Sequence, residues 1–251
     1  MRVFILYTEF IFNFFCSKHI KLRKKMKKLI VLFSSLNVSF LFSQDLTKDL
    51  SVFTQVKVYD KITAELVKSD QNKIEVYGAL SFEVVIIQKN YELKIRLPIT
   101  KTLKGDEIRV KIYYTQPLDE IAAFEGSFIT SAQLIKSRDL EITAKEGSEI
   151  KLDIEIEDLE AKATTGGEIY LNGLVSGTMN ADVRMGGTIE AKKLKTKKTK
   201  VSVSMGGNAN VYATDYAKAK TNAGGTINIY GNPNKTETKN FAGGTINLVK
   251  D

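Results

Sequence analysis

Glu149 and Glu168 are the carboxylates whose placement could do chemistry, because each stands at the same point of a repeated stretch. Stacked in register they would lie about 5 Å apart, near the separation of the two carboxyls in a retaining glycosidase. Two solvated surface acids would look the same, and no cleft is evident around them. A polysaccharide-active enzyme, a lyase or glycoside hydrolase, is therefore the alternative reading. A second acidic set runs through Glu149, Asp153, Glu155, Glu157, Asp158 and Glu160. Calcium needs about six to eight converging oxygens. The interleaved Ile150, Leu152, Ile154 and Ile156 turn these acids outward and apart, which predicts a wet face and no metal site.

Lys192, Lys193, Lys195, Lys197, Lys198 and Lys200 form a basic counterpart. Clustered cations can hold an acidic polysaccharide or the phosphates of lipopolysaccharide, and Lys192, Lys193 and Lys195 are the candidate glycan contacts. A solvated face offsetting the acidic stretch, about 10 Å away, is the ordinary reading. Tyr212 and Tyr230 stand five residues after a glycine pair in successive repeats. They could offer a stacking platform for sugar rings, or act as ordinary cross-strand partners.

These side chains must be positioned by a repeat. Small-residue pairs recur at Gly126-Ser127, Gly147-Ser148, Gly166-Gly167, Gly186-Gly187, Gly206-Gly207, Gly224-Gly225 and Gly243-Gly244, at spacings of 21, 19, 20, 20, 18 and 19. Two residues after each pair stand Ile129, Ile150, Ile169, Ile189, Ala209, Ile227 and Ile246, and two further on Ser131, Leu152, Leu171, Ala191, Val211, Ile229 and Leu248. That apolar–mixed–apolar alternation marks a strand with one buried face. Three residues before each pair, Ala123, Ala144, Ala163, Val183 and Val203 mark another inward position, which Thr221 and Asn240 break. A unit of about 20 residues cannot bury a core alone, but stacked units share one. The pairs predict corners, where glycine tolerates positive φ or close backbone approach.

The predicted fold is all-β: a single-stranded parallel β-helix, or β-solenoid, with coils of about 20 residues over 121–251. Propeller blades are about twice as long, and phosphate-cradling glycine loops lead into helices, not β-branched strands. Residues 44–120 are strand-like but irregular. Val56-Lys57-Val58, Ile62–Leu66, Ile74–Val76, Leu93–Leu97 and Ile108–Ile112 alternate, Val84–Ile87 is solidly apolar, and Asp70-Gln71-Asn72 and Lys104-Gly105-Asp106 signal turns. This part is expected to continue or cap the same core.

The formal net charge of +8 is concentrated at the start. Residues 1–43 hold eight of the 37 basic and one of the 29 acidic residues, leaving 29 against 28. A near-neutral body argues against a nucleic-acid partner, which requires excess clustered cations. Met26-Lys27-Lys28 followed by apolar Leu29–Phe42 predicts a signal peptide over 26–43, cleaved after Ser43, with 1–25 an over-extended start. An uncleaved anchor is the competing reading. No membrane span is expected in the mature chain 44–251. Cys16 and His19, the only residues of their kinds, both fall in the leader. That excludes a disulfide, a Cys/His metal site and a Ser-His or Cys-His nucleophile pair from 44–251, and no cofactor is implied. The terminal coil could pair with another chain, so end-to-end stacking into oligomers stays open.

Three features resemble a bacterial family common in Bacteroidetes, the "putative auto-transporter adhesin, head GIN domain" proteins. They are the leader ending Phe42-Ser43-Gln44, the opening Phe53-Thr54-Gln55-Val56-Lys57-Val58 with Ile62-Thr63-Ala64-Glu65-Leu66, and the repeats closing in Gly225-Thr226-Ile227-Asn228 and Gly244-Thr245-Ile246-Asn247. The resemblance covers 50–249. It implies a β-helix with the small pairs at turns and a cell-adhesion role without known catalytic residues. With the signal peptide, the expectation is an exported, non-enzymatic protein of the periplasm, the outer-membrane surface or the cell exterior that binds glycan or another envelope component. Gly-Gly stands here where family members often carry Gly-Ser-Gly.

Overall fold

The computed structural model describes residues 46–250; the expectations for 1–25 and 26–43 fall outside that range. Eighteen strands are present among the described residues. The first seven are β1 (Leu46–Asp49), β2 (Gln55–Val58), β3 (Thr63–Lys68), β4 (Lys73–Tyr77), β5 (Val85–Lys89), β6 (Glu92–Arg96) and β7 (Arg109–Tyr114). Next come β8 (Glu120–Ala123), β9 (Phe128–Thr130), β10 (Ile135–Lys145), β11 (Glu149–Thr164), β12 (Glu168–Arg184) and β13 (Thr188–Ser204). The chain closes with β14 (Asn208–Tyr212), β15 (Tyr216–Asn222), β16 (Thr226–Tyr230), β17 (Lys235–Phe241) and β18 (Thr245–Leu248).

They form a β-solenoid. One row of parallel strands precedes the glycine turns, in the order β6, β2, β8, β10, β11, β12, β13, β15, β17. A second row follows the turns, in the order β7, β3, β9, β11, β12, β13, β14, β16, β18. A shorter third row joins Ile135–Ser137, Ile154–Ile156, Gly173–Val175 and Leu194–Thr196. The long strands β10 to β13 cross from the third row into the first, and register shifts in β11–β12 and β12–β13 absorb the bends.

The predicted aliphatic column is continuous. Val110, Ala64, Ile129, Ile150, Ile169, Ile189, Ala209 and Ile227 are register partners and buried. Thr221 does not leave its column; it is fully buried, with Oγ1 unpartnered. Asn240 is exposed on β17, the last strand of its row among the described residues.

Each corner has two distinct steric demands. Glu125, Glu146, Thr165, Met185, Met205, Ala223 and Ala242 have φ between 48° and 59°, and the following Gly126, Gly147, Gly166, Gly186, Gly206, Gly224 and Gly243 have φ between 71° and 87°. Two successive left-handed residues make a type I′ turn, closed by Gly167 N–H donating to the Thr164 carbonyl at 3.0 Å and Gly187 N–H to Arg184 at 3.0 Å. The second glycine is required for space: a Cβ on Gly167 would stand 2.2 Å from the Ala144 carbonyl oxygen, and one on Gly187 2.5 Å from that of Ala163. In the two coils that use serine, the hydroxyl spans the gap. Ser127 Oγ donates to the Val58 carbonyl at 2.9 Å and Ser148 Oγ to that of Ala123 at 2.7 Å.

The N-terminal part both continues and caps the core, but not in chain order. The β2–β3 coil lies between β8–β9 and the later β6–β7 coil. Antiparallel β5 and β4 then cover the outer edges of β6 and β7, and β1 pairs antiparallel with β4. A covered edge leaves fewer unpaired backbone groups for stray pairing. The apolar run Val84–Ile87 serves this cap, which explains why Val85 and Ile87 remain 38% and 44% exposed. Lys104-Gly105-Asp106 is part of a 3-10 segment, Ile99–Glu107, in place of a simple turn. At the opposite end β17 and β18 are the last strands of their rows among the described residues.

Candidate functional site

Alternation places polar side chains outward along each row, and register decides which of them meet. Glu149 and Glu168 are direct register partners, as the repeat predicted. The Tyr170 hydroxyl donates to Glu168 at 2.5 Å; that bond first, then desolvation, pushes the Tyr170 phenol up to about 12. A carboxylate serving as acceptor to its own strand neighbour on an open sheet is poorly arranged to exchange protons with a substrate. A groove of about 300 Å³ does exist, lined by Lys145, Lys162, Thr164, Asp182, Arg184 and Met185, but neither glutamate borders it.

Within the acidic stretch Asp153, Glu155 and Asp158 are met from adjacent coils and Glu160 from its own strand. Asn172 donates to Asp153 at 2.9 Å, the Thr178 backbone N–H to Asp158 at 2.7 Å, Lys136 reaches Glu155 at 2.8 Å, and Lys162 bridges Glu160 at 2.8 Å and Glu141 at 2.9 Å. Among the described residues no three acidic, histidine or cysteine side chains converge on a metal-sized site.

The row after the turns carries an amide ladder. Asn247 donates to Asn228 at 2.8 Å, Asn228 to Asn210 at 2.7 Å, and Asn210 to Glu190 at 2.7 Å. One step along the strands, Tyr212 and Tyr230 are register partners, both half-buried. The Tyr212 ring lies over Gly231, where a Cβ would approach its Cε1 and Cζ to 2.7 Å. Backbone therefore covers part of that ring. Of the candidate lysines, Lys192 stands 3.9 Å from Glu190, while Lys193 and Lys195 adjoin Asn172 and Leu174 of the preceding coil.

Sequence reasoning missed a column built from four distant stretches. Arg96 sits over the Tyr59 ring at 5.9 Å, Tyr59 stacks on Phe124 at 4.6 Å with 13° between planes, and Lys145 sits 5.9 Å over Phe124. The ring faces are occupied by one another and by the cations, so this stack locks coils together and leaves no open face for a sugar. Near it, Asp60 is buried and accepts from Leu97 N–H at 2.7 Å. The neighbouring Asp60 carboxyl, then desolvation, raises the Glu125 carboxyl above its ordinary range. Only a signal for turns lacking glycine would have found Asp60-Lys61, which have φ of 60° and 61°.

This outer surface on a stacked-coil core belongs to a known class of β-solenoid. Residues 52–233 match the family described as "Putative auto-transporter adhesin, head GIN domain", and the chain belongs to that family. Its fold is shared with a putative adhesin from Bacteroides fragilis, at TM-score 0.73 and 17% identity over 81% of this chain and 96% of the other. A putative adhesin from Parabacteroides merdae superposes at 0.62 and 17% identity over 81% and 95%. A putative lipid binding protein from Parabacteroides distasonis does so at 0.61 and 17% identity over 81% and 96%. No curated protein matches the sequence. Among the described residues no helix is long and apolar enough to cross a membrane.

Proposed function

We propose that this chain is an exported, non-enzymatic adhesin whose outward side-chain columns bind glycan or another component of a cell envelope. The observation that carries the reading is the in-register ladder Glu190–Asn210–Asn228–Asn247, bonded at 2.7 to 2.8 Å. Amides already tied to one another present a rigid, hydroxyl-compatible surface, so little side-chain entropy is lost when a second surface docks. Membership of an adhesin family supports the same direction, and the predicted leader supplies the route out of the cell. Self-association through the uncovered strands β17 and β18 belongs to this reading, because a free edge is a template for another strand.

The enzyme alternative rests on the Glu149–Glu168 adjacency. One experiment separates them: the full-length protein is offered a panel of immobilised glycans, and retention and released sugar ends are both measured. Retention without release is expected. Release that disappears in the E149Q/E168Q variant would establish the enzyme instead.

A further inference from the structure

The lysine run of β13 does not stay on one row. Lys198 and Lys200 lie in the row before the turn, and register sets them against two later coils. Lys198 adjoins Tyr216 and then Lys235; Lys200 adjoins Lys218 and then Glu237; Ser202 adjoins Lys220 and then Lys239. All six lysines are exposed, while the alternate residues Thr199, Val201, Ala217 and Ala219 are buried. Strands ~4.8 Å apart and same-face neighbours ~6.7 Å apart put these cations on a flat area of about 10 by 13 Å.

One carboxylate lies within that area, Glu237, 3.0 Å from Lys235. Lys198, Lys200, Lys218, Lys220 and Lys239 make no ion pair among the described residues. Elsewhere on the same row the protein neutralises its lysines: Lys57 lies between Glu92 at 2.8 Å and Glu120 at 3.0 Å, and Lys162 between Glu141 and Glu160. Lys218 stands beside Glu237, but adjacent unneutralised cations repel one another, so leaving the other four together has a cost that a bound polyanion would reverse.

We propose that this lysine field on β13, β15 and β17 binds an acidic polysaccharide, a polymer bearing carboxylates on successive sugars. The proposal rests on the surface-binding reading above and names its ligand chemistry. Hydroxyls and amides stand among the cations, from Ser202, Ser204, Tyr216 and Asn222, and on the bordering strand Asn180 adjoins Lys200 while Asp182, which adjoins Ser202, is held by Arg184 at 2.5 Å. The hydroxyls and amides suit a ligand that offers sugar hydroxyls as well as charge. A lipid surface would call for a broad apolar face beside the cations, and the field has two exposed apolar side chains at its turn end, Phe241 and Met205, 62% and 52% exposed. The flat outline lets a chain touch several columns at once, so weak contacts add.

The test uses the full-length protein with three probes: polygalacturonate, its fully methyl-esterified neutral form, and phosphatidylcholine vesicles containing phosphatidylglycerol. The K200Q/K218Q/K220Q variant is compared with K48Q/K89Q/K104Q, which removes equal charge at exposed positions outside the field; unchanged melting curves verify that both fold. Binding to polygalacturonate that weakens with salt is expected, with a loss of about a hundredfold in the field variant, at about fivefold per lysine near an anionic surface. Under threefold loss in the other variant, and no binding to the ester, complete the expected result. Equal losses in both variants, or tighter binding to vesicles than to polygalacturonate, would overturn the proposal. Retention on a neutral glycan with none on polygalacturonate would sink the ligand class and leave the adhesin reading standing. Retention on no surface at all would sink both.

Discussion

Replacing Gly167 by alanine separates the two reasons for a glycine pair. Its neighbour Gly166 has φ +72° with nothing within 4 Å of a built Cβ, so an alanine there meets only left-handed backbone strain. That costs about 1 kcal/mol. At Gly167 the built Cβ stands 2.2 Å from the Ala144 oxygen, 2.5 Å from its carbon and 2.9 Å from Lys145 N, all backbone atoms of the adjacent coil. Ordinary contact requires the coils to part by about 1 Å, which stretches the Glu168 N–H to Ser148 carbonyl bond, now 2.8 Å. Overpacking together with a weakened bond amounts to about 3 kcal/mol. For a body of this size about 1 kcal/mol shifts Tm by about 3 °C. G166A should therefore melt about 3 °C lower than the parent and G167A about 9 °C lower, read by circular dichroism under identical buffer. Equal shifts, or a larger one for G166A, would refute the assignment of space to the second glycine and conformation to the first.

Asn228→Ala removes two amide bonds of the outer ladder and should cost about 1 to 2 kcal/mol in denaturant unfolding. Glu75 accepts from Lys73, Tyr77 and Tyr113 at 2.8, 2.9 and 2.9 Å. Burial alone would raise its carboxyl, but those donors together hold it below the ordinary range. Its contribution is thus present above the unfolded value and lost as pH falls through the folded one; acid titration of stability should show this, and E75Q should flatten it. Tyr170 and Tyr77, each pushed up to about 12, titrate in the opposite sense. Stability should be full below about pH 10 and fall as pH rises toward 12, and E168Q should bring one phenolate transition down in an ultraviolet titration. Glu125→Gln relieves like-charge contact with Asp60 and should raise stability at neutral pH by about 0.5 kcal/mol, measured by the denaturant midpoint.

The regular half of the solenoid was legible because its turn chemistry is restrictive. A type I′ corner packed against the preceding coil admits little but glycine at one position and glycine or serine at the next, so the period appears directly in the pairs. Alternation then identified Ile150, Ile169 and Ile189 as inward. It could not say that β2–β3 lies between β6–β7 and β8–β9, because alternation names a face and not a neighbour. The Asp60-Lys61 corner contains no glycine and so hid the first coil of the repeat. Candidate sites suffered likewise. Lys192, Lys193 and Lys195 fall within four successive residues, whereas Lys200 joins Lys218 and Lys220 only through register. The Arg96–Tyr59–Phe124–Lys145 stack draws on four separated stretches and left no local pattern to read.

Every binding surface described above depends on outward residues of successive coils standing side by side. Paired cysteines test this directly in 44–251, where the sequence has none of its own. Lys200 and Lys218 are register neighbours, whereas Asn180 and Lys218 are two levels apart, about 10 Å and beyond disulfide reach. Mild oxidation should therefore cross-link K200C/K218C and leave N180C/K218C reduced, as read by mass spectrometry of tryptic peptides. A cross-link in the second pair and none in the first would contradict the stacking on which the account stands.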